Sequence, residues 1–421
     1  MMNVNEIIKQ LPEMLSGQEL LNAMSIIPEY DKSVQKNGST AERLLKLSDL
    51  YNVYIPSQMS TEIYSKLYLG IVRSMQKKGS KLAVQQFNST YKTMQNIRKK
   101  DSNAQYEGII GGSDSFTIIG ASGIGKSSAI SRALNLIEAN HVIEIDKSYV
   151  KILPCLTVQC PFDSSVKGLL IEILRKVDEQ LGTTYYKSLV RPTVDTLIGS
   201  VSQVCLNHIG LLVVDEIQNV VNSKNGKNLI GSLTQLINNS GISICMVGTP
   251  ESEIFFEQAM QLARRSVGLK YSALLYDEHF YEVCDRLFSY QYVKNISVLN
   301  DAIVEWLYQH SSGVISIVVS LIHDAQEIAI LNGREVLDIN SLEEAYQNRL
   351  SMLHEYIKPV KKSIGKNMKR SIQNSADKLP IKEVNIADVQ HNLIQNVIKA
   401  AKDNGGDVIE MLSQYISVEV V

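Results

Sequence analysis

The stretch Gly120-Ala121-Ser122-Gly123-Ile124-Gly125-Lys126-Ser127, followed by Ser128, constrains this chain more than any other. It matches GxxxxGK[ST], follows directly on the apolar run Phe116 to Ile119, and opens a helical stretch. The glycines let the backbone curl so that its N–H groups and the helix N-terminus point at phosphates. Lys126 is then expected to reach the outer phosphates and the Ser127 hydroxyl to ligate Mg²⁺. A chain with this element must build a strand, a loop and a helix in immediate succession, which selects a layered α/β core.

The surrounding pattern agrees. From about 110 to 270, apolar runs of strand length (SFTII, LPCLTVQC, GLLVVDE, ISICMVG) alternate with helical stretches near Ser127 to Ala139, Ser165 to Leu181, Thr193 to Asn207 and Lys227 to Asn238. Such alternation argues for a buried parallel sheet with crossover helices. At 421 residues the chain is too long for one core at roughly 150 residues per domain. We expect a helical N-terminal region at 1–105, the α/β core at 106–275, a helical lid at 276–350, and a basic linker and tail at 351–421. In the first region Ile63, Leu67, Ile71 and Met75 follow helical spacing. In the last, up to Pro380, Lys358, Lys361, Lys362, Lys366, Lys369, Arg370 and Lys378 stand against only Glu355 and Asp377, and Ile386 to Tyr415 reads as an amphipathic segment able to dock on a partner.

Charge and cysteines narrow the class further. With 42 basic and 44 acidic side chains the net charge is -2, so any surface for nucleic acid must be a local patch. One such patch runs from Lys66 to Asp101, with Lys66, Arg73, Lys77, Lys78, Lys81, Lys92, Arg98, Lys99 and Lys100. The five cysteines are odd in number, dispersed and without a CxxC pair, as expected of reduced thiols. No apolar run reaches eighteen residues, so we expect neither a signal peptide nor a membrane span, and a cytoplasmic protein.

Three more stretches carry candidate chemistry. Leu211-Leu-Val-Val-Asp215-Glu216 is an apolar strand ending in two acids. Asp215 is expected at Mg²⁺ and Glu216 at the attacking water, which makes the chain an ATPase converting ATP and water to ADP and phosphate. Acids also cap buried strands without catalytic purpose, which is the competing reading. The next strand ends in Gly248-Thr249-Pro250-Glu251, where the Thr249 hydroxyl can sense the γ-phosphate or cap the following helix. Further on, Gln261-Leu-Ala-Arg264-Arg265 sets adjacent guanidiniums where one can reach a neighbouring subunit's γ-phosphate, against the plainer reading of a solvated charged face.

These pieces, with a helical lid after the sheet, resemble the AAA+ class of P-loop ATPases. Val158-Gln-Cys-Pro-Phe-Asp163-Ser-Ser-Val-Lys167-Gly168-Leu169, Leu181-Gly-Thr-Thr-Tyr185-Tyr186, Val194-Asp195-Thr196, Asp215-Glu-Ile-Gln218-Asn219, Gly248-Thr-Pro-Glu251 and Gln261-Leu-Ala-Arg-Arg-Ser266, in that order, resemble the TnsC family. That family, related to TniB, MuB and IstB, regulates bacterial transposons of the Tn-seven type. The resemblance implies an ATP-dependent homo-oligomer, ring or helical filament, on double-stranded DNA. It implies partners too: a target selector of TnsD or TniQ type and transposase subunits of TnsA and TnsB type, with hydrolysis driving disassembly. DNA-facing candidates are Lys147, Lys151, Lys187 and Arg191, against the alternative of solvated surface charge. The resemblance has one departure. AAA+ lids usually supply an arginine from Gly-x-x-Arg, whereas the corresponding stretch here is Gly313-Val-Ile-Ser316. The rival functions are a signalling or defence ATPase that binds no DNA, and a replication initiator or helicase loader.

Overall fold

Among the described residues six strands form one sheet in the order β2-β3-β4-β5-β1-β6: β1 Phe116–Gly120, β2 Ile143–Ile145, β3 Val150–Gln159, β4 Ile209–Asp215, β5 Ser243–Gly248 and β6 Val267–Tyr271. The computed structural model describes residues 8–78, 115–139, 141–145, 150–220, 226–240, 242–253 and 267–351. These belong to one compact unit, Met1–Val360, while the second, Lys361–Val421, lies outside the described residues. So do Lys147, Arg264 and Arg265 and all of the basic run after Lys78.

The sheet is parallel except at its edge, where β2 pairs antiparallel with β3. All four apolar runs picked out in the sequence are strands. The two strands missed, β2 and β6, are Ile-Glu-Ile and Val-Gly-Leu-Lys-Tyr, which lack an apolar run because each lies at a sheet edge. Edge strands are buried less completely, so their composition announces them weakly.

Side chains alternate between two cores. On one face Ile119, Leu156, Val158, Leu212, Val214, Ile244 and Met246 meet the helices α6 Val166–Leu181, α7 Val194–His208 and α8 Gly226–Ser240. On the other, Phe116, Ile118, Cys155, Leu211, Val213, Cys245 and Val247 meet three helices from the N-terminal half. These are α1 Gly17–Met24, α4 Gln58–Lys78 and α5 Lys126–Leu136; two shorter ones, α2 Lys32–Asn37 and α3 Thr40–Leu47, lie between α1 and α4. Ile63, Leu67, Ile71 and Met75 of α4 are fully buried, and Gly70 sits where an added Cβ would be 3.4 Å from Phe116. Helices α1 and α4 are therefore a layer of the α/β core. All five cysteines are buried, and burial pushes the Cys155 thiol up to about 12, so these thiols act as core apolar groups.

The lid is a four-helix bundle: α9 Glu278–Phe288, α10 Asp301–Ser311, α11 Ile315–Leu331 and α12 Ile339–Arg349. Its core also takes Leu47 and Leu50 from the N-terminal region. The tie is electrostatic as well. Arg43, 2% exposed, donates two hydrogen bonds to Glu335, at 2.6 and 2.7 Å, and one to the Tyr292 carbonyl at 3.0 Å. The guanidinium holds the Glu335 carboxyl below its ordinary value. Among the described residues no single helix is long and apolar enough to cross a membrane.

Candidate nucleotide site

At the C-terminal end of β1 the chain enters Ala121 to Gly125 with Gly123 at φ 79° and Gly125 at φ 97°. Both angles lie in the left-handed region that glycine adopts without cost. The turn delivers Lys126 as the first residue of α5, whose free N-terminal amides face the loop. Its ammonium donates to the Gly120 and Ala121 carbonyls at 2.7 and 2.8 Å. Burial pulls the Lys126 ammonium below its ordinary value, while Asp215, Glu216 and Glu251 pull it back.

Parallel pairing puts the end of β4 beside this loop. The Ser127 hydroxyl donates to Asp215 Oδ2 at 3.2 Å, and the Glu216 N–H donates to Asp215 Oδ1 at 2.8 Å. A hydroxyl and a carboxylate oxygen side by side are the hard oxygen donors that suit Mg²⁺. Glu216 is the first residue past β4, with φ 58° and an exposed side chain. Thr249 follows β5 as the N-cap of a short 3-10 turn with Pro250 in its first position. Its side chain makes no capping bond; its hydroxyl binds the Glu251 carboxylate and holds that group below its ordinary value. Thr249 thus occupies the cap position with its side chain committed elsewhere. Lys126, Ser127, Asp215, Glu216 and Thr249 all line one cavity of about 240 Å³, together with Gln218 and Ser316.

A second cavity of about 250 Å³ adjoins the first and shares Gly123, Gly125, Ser128 and Ser316 with it. Its walls come from three distant segments: Tyr51, Val53, Tyr54, Ile55 and Met59 before and in α4; Ile124 of the loop; and Val283, Leu287, Ile315 and Val319 of the lid. An apolar slot beside a phosphate loop suits a flat heterocyclic base. Sequence reading missed it, since each wall is an ordinary apolar residue of its own segment. The only local hint was the aromatic cluster Tyr51-Asn-Val-Tyr54.

Ser316 answers the missing lid arginine. The Ser316 N–H donates to the Gly123 carbonyl at 3.1 Å, so the first turn of α11 is fastened to the phosphate loop by its backbone. An added Cβ on Gly123 would lie 2.2 Å from Ser316 Oγ and 2.9 Å from Val314 Cγ1. Gly123→Ala therefore combines overpacking, about 1–3 kcal/mol, with a left-handed alanine, about 1–2 kcal/mol. We expect a lower midpoint of thermal unfolding and weaker binding of a fluorescent ATP analogue, measured on the same preparation.

Of the DNA-facing candidates, Lys151, Lys187 and Arg191 lie elsewhere. Lys151 sits at the start of β3, whereas the end of that strand, Gln159, pairs with Asp215. Its ammonium is 3.2 Å from Glu144, and its carbonyl is 2.8 Å from His208 Nδ1. His208 Nε2 lies 2.7 Å from the Tyr185 hydroxyl, which brings the loop after α6 to the same end. Lys187 and Arg191 are exposed on that loop, Arg191 with φ 46°. These cations are not part of the nucleotide site.

A family model described as AAA domain matches residues 110–254. No curated protein matches the chain. Among solved structures, the Aeropyrum pernix ORC1 protein in complex with DNA is 17% identical, with 73% of each chain covered and a TM-score of 0.41. Drosophila ORC bound to DNA is 12% identical, covering 99% of this chain and 86% of that one, with a TM-score of 0.41. A Walker-type ATPase of Pyrococcus abyssi is 11% identical, covering 69% and 75%, with a TM-score of 0.36. The stretch from 110 to 254 is thus similar in sequence to an AAA domain, and the mixed α/β fold around it, with its parallel sheet, is that of a P-loop core.

Proposed function

We propose that this chain is an ATP-hydrolysing regulator of DNA transposition of the TnsC type, working in the cytoplasm as an oligomer on duplex DNA. The observation that carries the ATPase part is the convergence of Lys126, Ser127, Asp215 and Glu216 on one cavity, with an apolar slot beside it. Lys126 turns from the loop carbonyls to the outer phosphates. Ser127 and Asp215 would hold Mg²⁺, which would supply charge neutralisation at the phosphates. Glu216 takes the proton of the attacking water, and Thr249 contacts the γ-phosphate or that water.

The transposition part rests on the ordered resemblance of six segments, two of which are joined at the site. The Asn219 amide donates to the Cys160 carbonyl at 3.0 Å, and the Ser164 hydroxyl to the Asn219 carbonyl at 2.8 Å. Nucleotide bound among three segments of one subunit, with Arg264 or Arg265 of the next reaching its γ-phosphate, favours the assembled form by mass action. Lys147, Lys151, Lys187 and Arg191 then contact DNA phosphates. The assembly links a target selector of TnsD or TniQ type to a transposase of TnsA and TnsB type, with residues 351–421 as the partner-binding tail. Hydrolysis returns the subunits.

Electron microscopy of the protein with duplex DNA tests this reading, comparing ATP, a non-hydrolysable analogue, ADP and no nucleotide. Rings or filaments on DNA are expected only with the triphosphates. Particles indifferent to DNA in all four samples would favour the signalling ATPase instead.

A further inference from the structure

The turn after β4 holds a side chain that the mechanism above does not use. Gln218 lines the phosphate cavity, and its amide nitrogen donates to Glu216 Oε2. An ionised carboxylate only accepts, so the NH₂ end of the amide must face it and the amide oxygen must face away. That oxygen is buried and has no hydrogen-bond partner among the described residues. It lies against the end of β5, where an added Cβ on Gly248 would be 3.1 Å from it. A buried acceptor without a donor is costly, and a glutamine serving only to fill space would turn its oxygen to water.

The turn itself is pinned from two sides. Its Asn219 side chain donates to the Cys160 carbonyl, and the Cys160 N–H donates to the Asp215 carbonyl at 2.8 Å. Gly248 approaches so closely that an added Cβ would be 2.6 Å from Ile217. Glu216, by contrast, is exposed and holds a left-handed backbone that a glutamate rarely adopts. Without Gln218 its carboxylate would be free to swing through several rotamers.

We infer that Gln218 is a positioning residue for hydrolysis: its amide grips one oxygen of the Glu216 carboxylate and leaves the other to accept the proton of the attacking water. The inference rests on the ATPase reading above and adds to it how the base is aimed. A fixed base saves the orientational freedom that a swinging one must give up in the transition state.

The test is steady-state ATP hydrolysis by the full chain and its Gln218→Ala, Gln218→Glu and Glu216→Gln variants, with fluorescent-nucleotide binding on each. For Gln218→Ala we expect kcat to fall by about 10- to 100-fold while KM and nucleotide affinity hold. Gln218→Glu sets two carboxylates together and is slow at neutral pH. As pH falls its new carboxyl gains a proton and donates as the amide did, so its rate relative to the parental protein climbs. A side chain that only packs would give no such relative pH profile. Parental kcat in Gln218→Ala, or a Gln218→Glu profile parallel to the parental one, overturns the inference while the ATPase reading stands. A parental protein that binds ATP without turnover overturns both.

Discussion

Lys126→Ala is expected to abolish nucleotide-dependent assembly. The Lys126 ammonium is the first-turn cation of α5 and lines the phosphate cavity, half-buried between the loop carbonyls and the Asp215 end of β4. Its present bonds are to two neutral carbonyl oxygens, so exchanging them for phosphate oxygens replaces neutral acceptors by charged ones. Removing one partner of such a charge-assisted contact costs about 2–5 kcal/mol, or roughly thirtyfold or more in affinity. Alanine is also a good helix former, so α5 should survive and the loss should be one of binding. Titration with a fluorescent ATP analogue, alongside thermal unfolding of the same sample, checks this. Unchanged nucleotide affinity would remove Lys126 from the phosphate site.

Glu216→Gln is expected to leave nucleotide affinity intact and to lower the rate of hydrolysis by about 10²- to 10⁴-fold, the usual contribution of a general base. The swap keeps the shape of the side chain and removes its capacity to take a proton. It also sets two amides side by side, since Gln218 donates to the carboxylate in the parental protein. With ATP retained, the assembled form on DNA should persist longer. Dissociation from labelled duplex after dilution, read by fluorescence anisotropy, measures that lifetime. Hydrolysis at the parental rate would show that another group takes the proton.

What the sequence by itself determined was the local part of the site. Gly120 to Ser127, an acid-ended strand at Leu211 to Glu216 and the alternation of apolar runs each report on a single segment, and each is where expected. Local periodicity suffices because a strand buried on both faces must be apolar throughout, and a phosphate loop must carry its glycines and its lysine together. The edge strands β2 and β6 escaped because an edge asks less of its side chains.

Only the tertiary structure decided the rest. Helices α1 and α4 look like ordinary amphipathic helices, and nothing in their spacing says that they cover the sheet, just as nothing near Leu47 and Leu50 says that these fill the core of the C-terminal helical bundle. The apolar slot joins Tyr51, Ile124 and Leu287, which belong to three separate segments. Ser316 reads as an absent arginine until its N–H is seen on the Gly123 carbonyl. Gln218 reads as part of a motif until its amide is seen on Glu216. These contacts depend on which segments the packed cores bring together, and burial drives that packing without leaving a residue-by-residue address in any one segment.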